Sequence, residues 1–214
     1  MILLSCGSDG VVRFANILYV YNLSTNTMEP NIHRGNSLLT TNLSNLDIND
    51  VVVFNYSDSL FGKQVYVFRI VGKPKDVIEI KSGILYRNGS KANKIGTSYD
   101  YKVTMNEYAD LKPNLVSDYD LRKKREDTLI VSLSEKVAIN NNLDDRRFIL
   151  SNDHSDNYIN EVYGKNWNKD FFGPLTIPSG KYFVLGDNRD NSNDSRFIGL
   201  IDKEQIIGEV ITTW

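Results

Sequence analysis

"GDNRDNSNDSRFIG", residues 186–199, is the densest polar run in the chain, and it follows directly on the apolar stretch "KYFVL", residues 181–185. Three aspartates, Asp187, Asp190 and Asp194, are interleaved there with two arginines, Arg189 and Arg196. A plain turn rarely needs so many charges. Asp190, Ser192 and Asp194 do have the D-x-S-x-D spacing of a calcium loop. However, the sixth position of such a loop would be Ser195 instead of Gly, and the twelfth Ile201 instead of Glu. The remaining reading is a buried or half-buried network. In it, carboxylates and guanidiniums satisfy one another and hold the loop in one geometry, as loops beside active sites often require.

The segments around this run read as β-structure. "DVVVF" (50–54) and "QVYVFRIVG" (64–72) are β-branched runs, and "IIGEVITTW" (206–214) closes the chain in the same manner. "DVIEI" and "ILYRNG" flank a turn-like "KSG", and Asn88-Gly89 is a strong hairpin signal. Between about residues 90 and 172 the character changes to Asn-rich and Tyr-rich. "DLRKKRED" (120–127) reads as a solvated face, "TLIVSLS" as a strand and "SEKVAINN" as a short helix. Pro174, Pro178 and Gly180 punctuate the return to the core at "FFGPLTIPSG" (171–180). The expected organisation is therefore an N-terminal tail or leader at 1–10, a core from 11–89 and 173–214, and an inserted cap subdomain at 90–172.

Composition limits the function classes. The chain has 214 residues, of which 41% are hydrophobic and 24% charged, enough for a real core under an ordinary surface. A net charge of −2 leaves no broad basic field for nucleic acid. A single cysteine excludes an internal disulfide framework, and two histidines without a CxxC leave little for a zinc site. No metal or cofactor enters the reading. "MILLSCGSDG" at the N-terminus is too short for a membrane span, which needs about 20 apolar residues. Its "LLSC" resembles a bacterial lipoprotein box, although the charged and apolar regions of a full secretory signal are missing. Two readings stand: lipid anchoring at Cys6, or a mobile tail with a free thiol.

The last polar run, extended to "GDNRDNSNDSRFIGLIDKEQIIGEV", resembles the C-terminal box of type I signal peptidases, membrane-associated proteases that remove signal peptides from exported proteins. Three further stretches resemble the family in the right order. "TMEPNIHRGN" is similar to its Ser-Met-x-Pro-Thr-Leu-x-x-Gly-Asp box. "NLDINDVVVF" is similar to the segment after that box, and "YVFRIVGKPKDVIEIKSGILYRNG" to the strand and hairpin of its lysine box. The insert, with "WNKDFFGPLTIP" near its end, resembles the larger insert of Bacteroidetes-type members. The resemblance implies a mainly β fold, a signal-peptidase-like coiled β-sheet core with an inserted α+β cap. It also implies a Ser–Lys dyad, in which a desolvated neutral lysine takes the serine proton and a hydroxyl two residues before the nucleophile helps to hold the oxyanion.

Carried over residue by residue, the dyad is substituted at both positions. Thr27 stands at the nucleophile and Phe68 at the general-base lysine, while Thr25 keeps the oxyanion hydroxyl. The resemblance pairs Arg69 with Asp187 and Asp194 with Arg196, gives Ser192 the hydrogen bond to the lysine, and brings Thr27 beside Phe68. Threonine can be a nucleophile, but it needs a base, and Phe68 cannot accept a proton. On a strand, Gln64 and Tyr66 share the face of Phe68 and Lys63 does not. Lys73 and Lys75 would have to reach back, and His33 lies in a segment that leads away.

Two functions follow. One is a non-catalytic homologue that binds extended polypeptide or signal peptide by strand addition and works beside an active paralogue. The other is an atypical threonine signal peptidase. Both imply the cell envelope, at the outer face of the cytoplasmic membrane, with a membrane surface and exported proteins as partners.

Overall fold

The computed structural model describes residues 4–6, 12–14, 17–58, 62–92, 95–111, 121–125 and 128–214. In chain order the strands of the first part are β1 (Leu4–Cys6), β2 (Val12–Phe14), β3 (Leu18–Asn22), β4 (Ser37–Thr41), β5 (Val51–Asp58), β6 (Gly62–Gly72), β7 (Val77–Lys81), β8 (Ile84–Arg87) and β9 (Ser90–Lys91). The insert carries β10 (Ser98–Thr104), α1 (Met105–Leu111), β11 (Leu121–Arg125), β12 (Thr128–Ser134), α2 (Glu135–Asn140) and α3 (Asn157–Tyr163). The chain closes with β13 (Phe172–Thr176), β14 (Lys181–Leu185), α4 (Ser195–Ile198), β15 (Ile201–Asp202) and β16 (Ile206–Thr213). The fold is mainly β.

The strands form a nine-stranded sheet in the order β1-β2-β3-β4-β16-β5-β6-β14-β15, a four-stranded sheet β13-β7-β8-β9 and a three-stranded sheet β10-β12-β11. The two hairpin turns expected from sequence are present. Ser82-Gly83 and Asn88-Gly89 all take positive φ, as two-residue turns between twisted antiparallel strands require. The chain's last strand lies inside the large sheet between β4 and β5, so the first and last thirds of the sequence share one layer.

Three apolar clusters hold these sheets. Val52, Val53, Phe54 and Ile70 of β5 and β6 bury against Met28 and Leu38. A second cluster joins Val71, Ile78 and Phe183 to Ile159 and Phe172, with Tyr163 and Trp167 packed on it. The segment 157–172, placed in the cap from sequence, thus shares a cluster with core strands. The third cluster, centred on Tyr99, Val131, Leu133 and Leu143, belongs to the insert alone. The "SEKVAINN" helix is α2, capped by the Ser134 hydroxyl accepting from the Val137 amide. "DLRKKRED" contains β11, whose side chains beyond Leu121 lie outside the described residues. The backbone of Leu4–Cys6 pairs with Val12–Phe14. The rest of the N-terminal leader, and with it the lipid-anchor reading at Cys6, falls outside what is described.

One buried amide organises the return from the insert. Asn168 is 0% exposed. Its Nδ2 donates to the Ser151 carbonyl at 2.9 Å and the His154 carbonyl at 2.7 Å, while its Oδ1 accepts from the Asp170 and Phe171 amides. All the hydrogen-bonding groups of that side chain are used, so its removal strands buried donors and acceptors together. Asn168→Ala should lower unfolding free energy by on the order of 3 kcal/mol, read as a fall in the urea midpoint at unchanged slope.

Candidate active site cleft

Thr27 sits at the start of a tight turn. The Glu29 amide donates to the Asn26 carbonyl, and the Asn31 and Ile32 amides both donate to the Met28 carbonyl. Met28 is fully buried and anchors this turn in the first apolar cluster. Thr27 is therefore held by a pin next to it in sequence. It is also held from across the chain, because its carbonyl accepts from the Asn188 amide at 2.9 Å. The Ser192 hydroxyl lies 3.2 Å from the same carbonyl and 2.7 Å from that of Asn188. The Asn188 side chain adds a bond to the Asn26 carbonyl at 3.2 Å.

The loop that makes these contacts is itself fixed by two ion pairs. Arg69 meets Asp187 through two parallel bonds, Nε to Oδ1 at 2.8 Å and Nη2 to Oδ2 at 2.5 Å. Arg196 meets Asp194 in the same forked manner, both contacts at 2.8 Å. Asp194 also accepts from the Gly186 amide, and it caps α4 by accepting from the Arg196 amide. Burial opposes the Arg196 charge, but the Asp194 carboxylate overrides that and keeps the guanidinium above its ordinary pKa. The pairs expected from sequence are thus formed. Gly186 is required between them, since a Cβ there would stand 1.8 Å from Ser192 Oγ and 2.8 Å from the Thr27 carbonyl oxygen.

Thr27 and Phe68, 41 positions apart by their numbers in the sequence, line one cleft of about 800 Å³. Tyr21, Thr25, Gln64 and Tyr66 line it with them. Phe68 is 4% exposed, with its ring 6.0 Å from that of Phe54 and 5.8 Å from that of Tyr66. It fills the wall as a packed aromatic. The Thr25 and Thr27 hydroxyls share a hydrogen bond of 3.0 Å. No lysine, histidine or carboxylate is among the described residues that line the cleft. Lys73 is bound instead to Asp47 at 2.6 Å, an exposed pair that raises the lysine pKa and lowers that of the carboxyl through their mutual hydrogen bond. His33, 48% exposed, faces Glu29 at 3.9 Å.

Several residues of this site escape a reading of the sequence. Asn31 donates to Asp187 Oδ2 at 2.8 Å and to the Gly96 carbonyl, tying the Thr27 turn to the ion pair and to the segment that precedes β10. Lys169, from the end of the insert, bridges Asp170 and Asp190. The Asp190 carboxylate in turn accepts from the Asp100 amide.

Comparisons with known proteins give the family. The profile of the family described as "Signal peptidase, peptidase S26" matches residues 2–214. The chain belongs to that family. Signal peptidase I of Bacillus amyloliquefaciens is 30% identical over 193 residues, which is 88% of this chain and 69% of that protein. Signal peptidase IB of Staphylococcus aureus is 28% identical over 198 residues, 91% of this chain and 76% of that one. The crystal structure of a signal peptidase I from Enterococcus faecalis covers 79% of this chain and 98% of its own at 21% identity and a TM-score of 0.39, a likeness too loose to carry an argument about the site.

In this family member the charge pairs carry the frame. Asp187 is 1% exposed, so its removal would leave the half-buried Arg69 charge without a counterion. Asp187→Ala should cost about 3–5 kcal/mol in urea denaturation.

Proposed function

We propose that this signal peptidase family protein binds extended polypeptide of exported proteins in its cleft and does not cleave it. The observation that carries the reading is Phe68: a packed aromatic stands on the wall where a general base would act, and none of the described cleft residues replaces it. General-base assistance contributes about 10²–10⁴ in rate, and the extra methyl of Thr27 further crowds the attack. Binding remains well supported. In β6, the segment from Gly62 to Phe68 pairs with β5, while β14 joins it from Arg69 to Gly72. Strand addition alongside β6, beside the cleft that Gln64, Tyr66 and Phe68 line, is the mode of binding this reading takes. Membership of the family makes signal-peptide-bearing exported proteins the substrate class and the cell envelope the place. An active paralogue would do the cleaving that this chain does not. Among the described residues, no helix is long and apolar enough to cross a membrane.

A second reading, a threonine peptidase, draws on the 3.0 Å bond between the Thr25 and Thr27 hydroxyls. That contact keeps a hydroxyl donor in the oxyanion position. It supplies no base, because a neutral hydroxyl does not take a proton at neutral pH.

Restoring the dyad separates the readings. Thr27→Ser removes one methyl, and Phe68→Lys places an amine among Phe54 and Tyr66, where desolvation lowers its pKa toward neutrality. Ser192, whose hydroxyl lies 3.2 Å from the Thr27 carbonyl, is the residue to which the resemblance gives the role of orienting that amine. With a signal-peptide substrate in detergent, the unmodified protein and each single variant should show little or no cleavage. The double variant should cleave measurably after small residues, far above the sum of the single changes. Robust cleavage by the unmodified chain that Thr27→Ala abolishes would establish the threonine peptidase instead.

A further inference from the structure

A second cavity, of about 440 Å³, shares no lining residue with the cleft. It opens between β8, β10 and α2, where the insert meets the core. The 186–191 loop separates the two spaces: the Asn188 amide donates to Thr27, and the next amide, Arg189, donates to the Ser98 carbonyl.

Three residues line this cavity with hydrogen-bonding capacity that the described residues use only in part, and one of their donor atoms, Arg147 Nε, is buried with no partner among them. Arg189 is 8% exposed; its Nε donates to the Gly186 carbonyl at 3.1 Å, and no described carboxylate lies within ion-pair reach of its Nη groups. Tyr101 is 3% exposed, and its hydroxyl bonds no described residue. Burial pushes that phenol well above its ordinary pKa, so it stays a donor at neutral pH. Arg147 lies flat on the Tyr99 ring, 3.3 Å from its centroid. Its Nη2 group reaches the Gly83 carbonyl at 3.2 Å and lies 3.9 Å from the Asp170 carboxylate, while its Nε is buried with no hydrogen-bond partner among the described residues. Buried donors without acceptors are rare in folded proteins, and each calls for a physical account.

The rest of the lining narrows the ligand. Ile84, Leu85, Ala92 and Ile139 make an apolar wall, suited to a short aliphatic body. Lys91, Glu135 and Asp144 also line the cavity; with Arg147 and Arg189 the three cations exceed the two carboxylates by one charge, which suits a guest with a single negative charge. An acceptor-only group with a single charge, planar and able to take a guanidinium fork, is a carboxylate.

We propose that this cavity binds one terminal carboxylate carried on a short aliphatic body, with Arg189, Arg147 and Tyr101 as its donors. The shared chemistry has two sources, a free aliphatic acid or the C-terminus of a peptide. Titration calorimetry on the full chain distinguishes them, with N-acetyl-leucine as one probe and the peptide acetyl-Ala-Ala-Ala-Leu, with a free carboxylate, as the other. Each is compared with its C-terminal amide and with inorganic phosphate. At least one acid should bind with one-to-one stoichiometry, its amide about tenfold or more weaker, as expected for loss of charge-assisted hydrogen bonds. The tighter acid identifies the source. Tyr101→Phe, which removes only the hydroxyl, should weaken the acid about threefold. Ile139→Glu, at a rim position 51% exposed, should weaken it about tenfold by like-charge repulsion without touching the buried network. Binding by neither acid at millimolar concentration, equal binding of acid and amide, or phosphate binding as tightly as the acids would overturn the proposal.

Discussion

The forked contact between Arg69 and Asp187 is the constraint on which the rest of the cleft depends. It ties the middle of β6 to the loop after β14, and through Asn31 it reaches the turn that carries Thr27. Taking two charges out of water is costly, and their attraction offsets that cost only when the geometry is good and the remaining lone pairs are used. Here they are used: Asp187 accepts from Arg69 and Asn31, and Arg69 also donates to the Asn49 carbonyl at 2.7 Å. The second pair, Arg196 and Asp194, extends the same logic to the far end of the loop. Such a network contributes little net stability but penalises every other arrangement of the loop, and so specifies one.

This frame and the family's chemistry are physically separable. The charged residues of the loop hold one another, and none of them needs a reactive group in the cleft to stay in place. Phe68 is satisfied by Phe54 and Tyr66 in the same way, through ring contacts that a lysine stem would make only in part. The network and the turn therefore do not depend on which side chains stand at positions 27 and 68. The Thr27 carbonyl shows the separation within one residue. Its backbone is fixed by Asn188, whereas its hydroxyl bonds that of Thr25.

Much of the architecture was legible in the sequence because its signals are local. The β-branched runs became β5 and β6, positive-φ pairs sat at Ser82-Gly83 and Asn88-Gly89, and Ser134 capped the short helix after "TLIVSLS". The partners in the loop were also legible, because aspartates and arginines packed so densely after an apolar strand have few other ways to be buried. Less was readable in the insert. Asn168, Asn31 and Lys169 look like ordinary surface residues in a polar segment, and their roles arise from carbonyls and carboxylates contributed by remote parts of the chain. Residues 157–172 read as part of a cap, yet Ile159 and Phe172 are buried among core strands.

By itself the sequence determined that this chain builds a mainly β frame around a charged loop, and it aligned Thr27 and Phe68 with the two positions central to the family's chemistry by resemblance. Those facts are written in residue types and their order. Only the tertiary structure decided that these two residues share a cleft, that no lysine, histidine or carboxylate is among the described residues lining it, and that Arg147, Arg189 and Tyr101 line a second cavity. The physical reason is distance along the chain. Pairings between residues tens of positions apart depend on strand order and register, which no local pattern encodes, and in this fold the strand order itself interleaves the two ends of the chain.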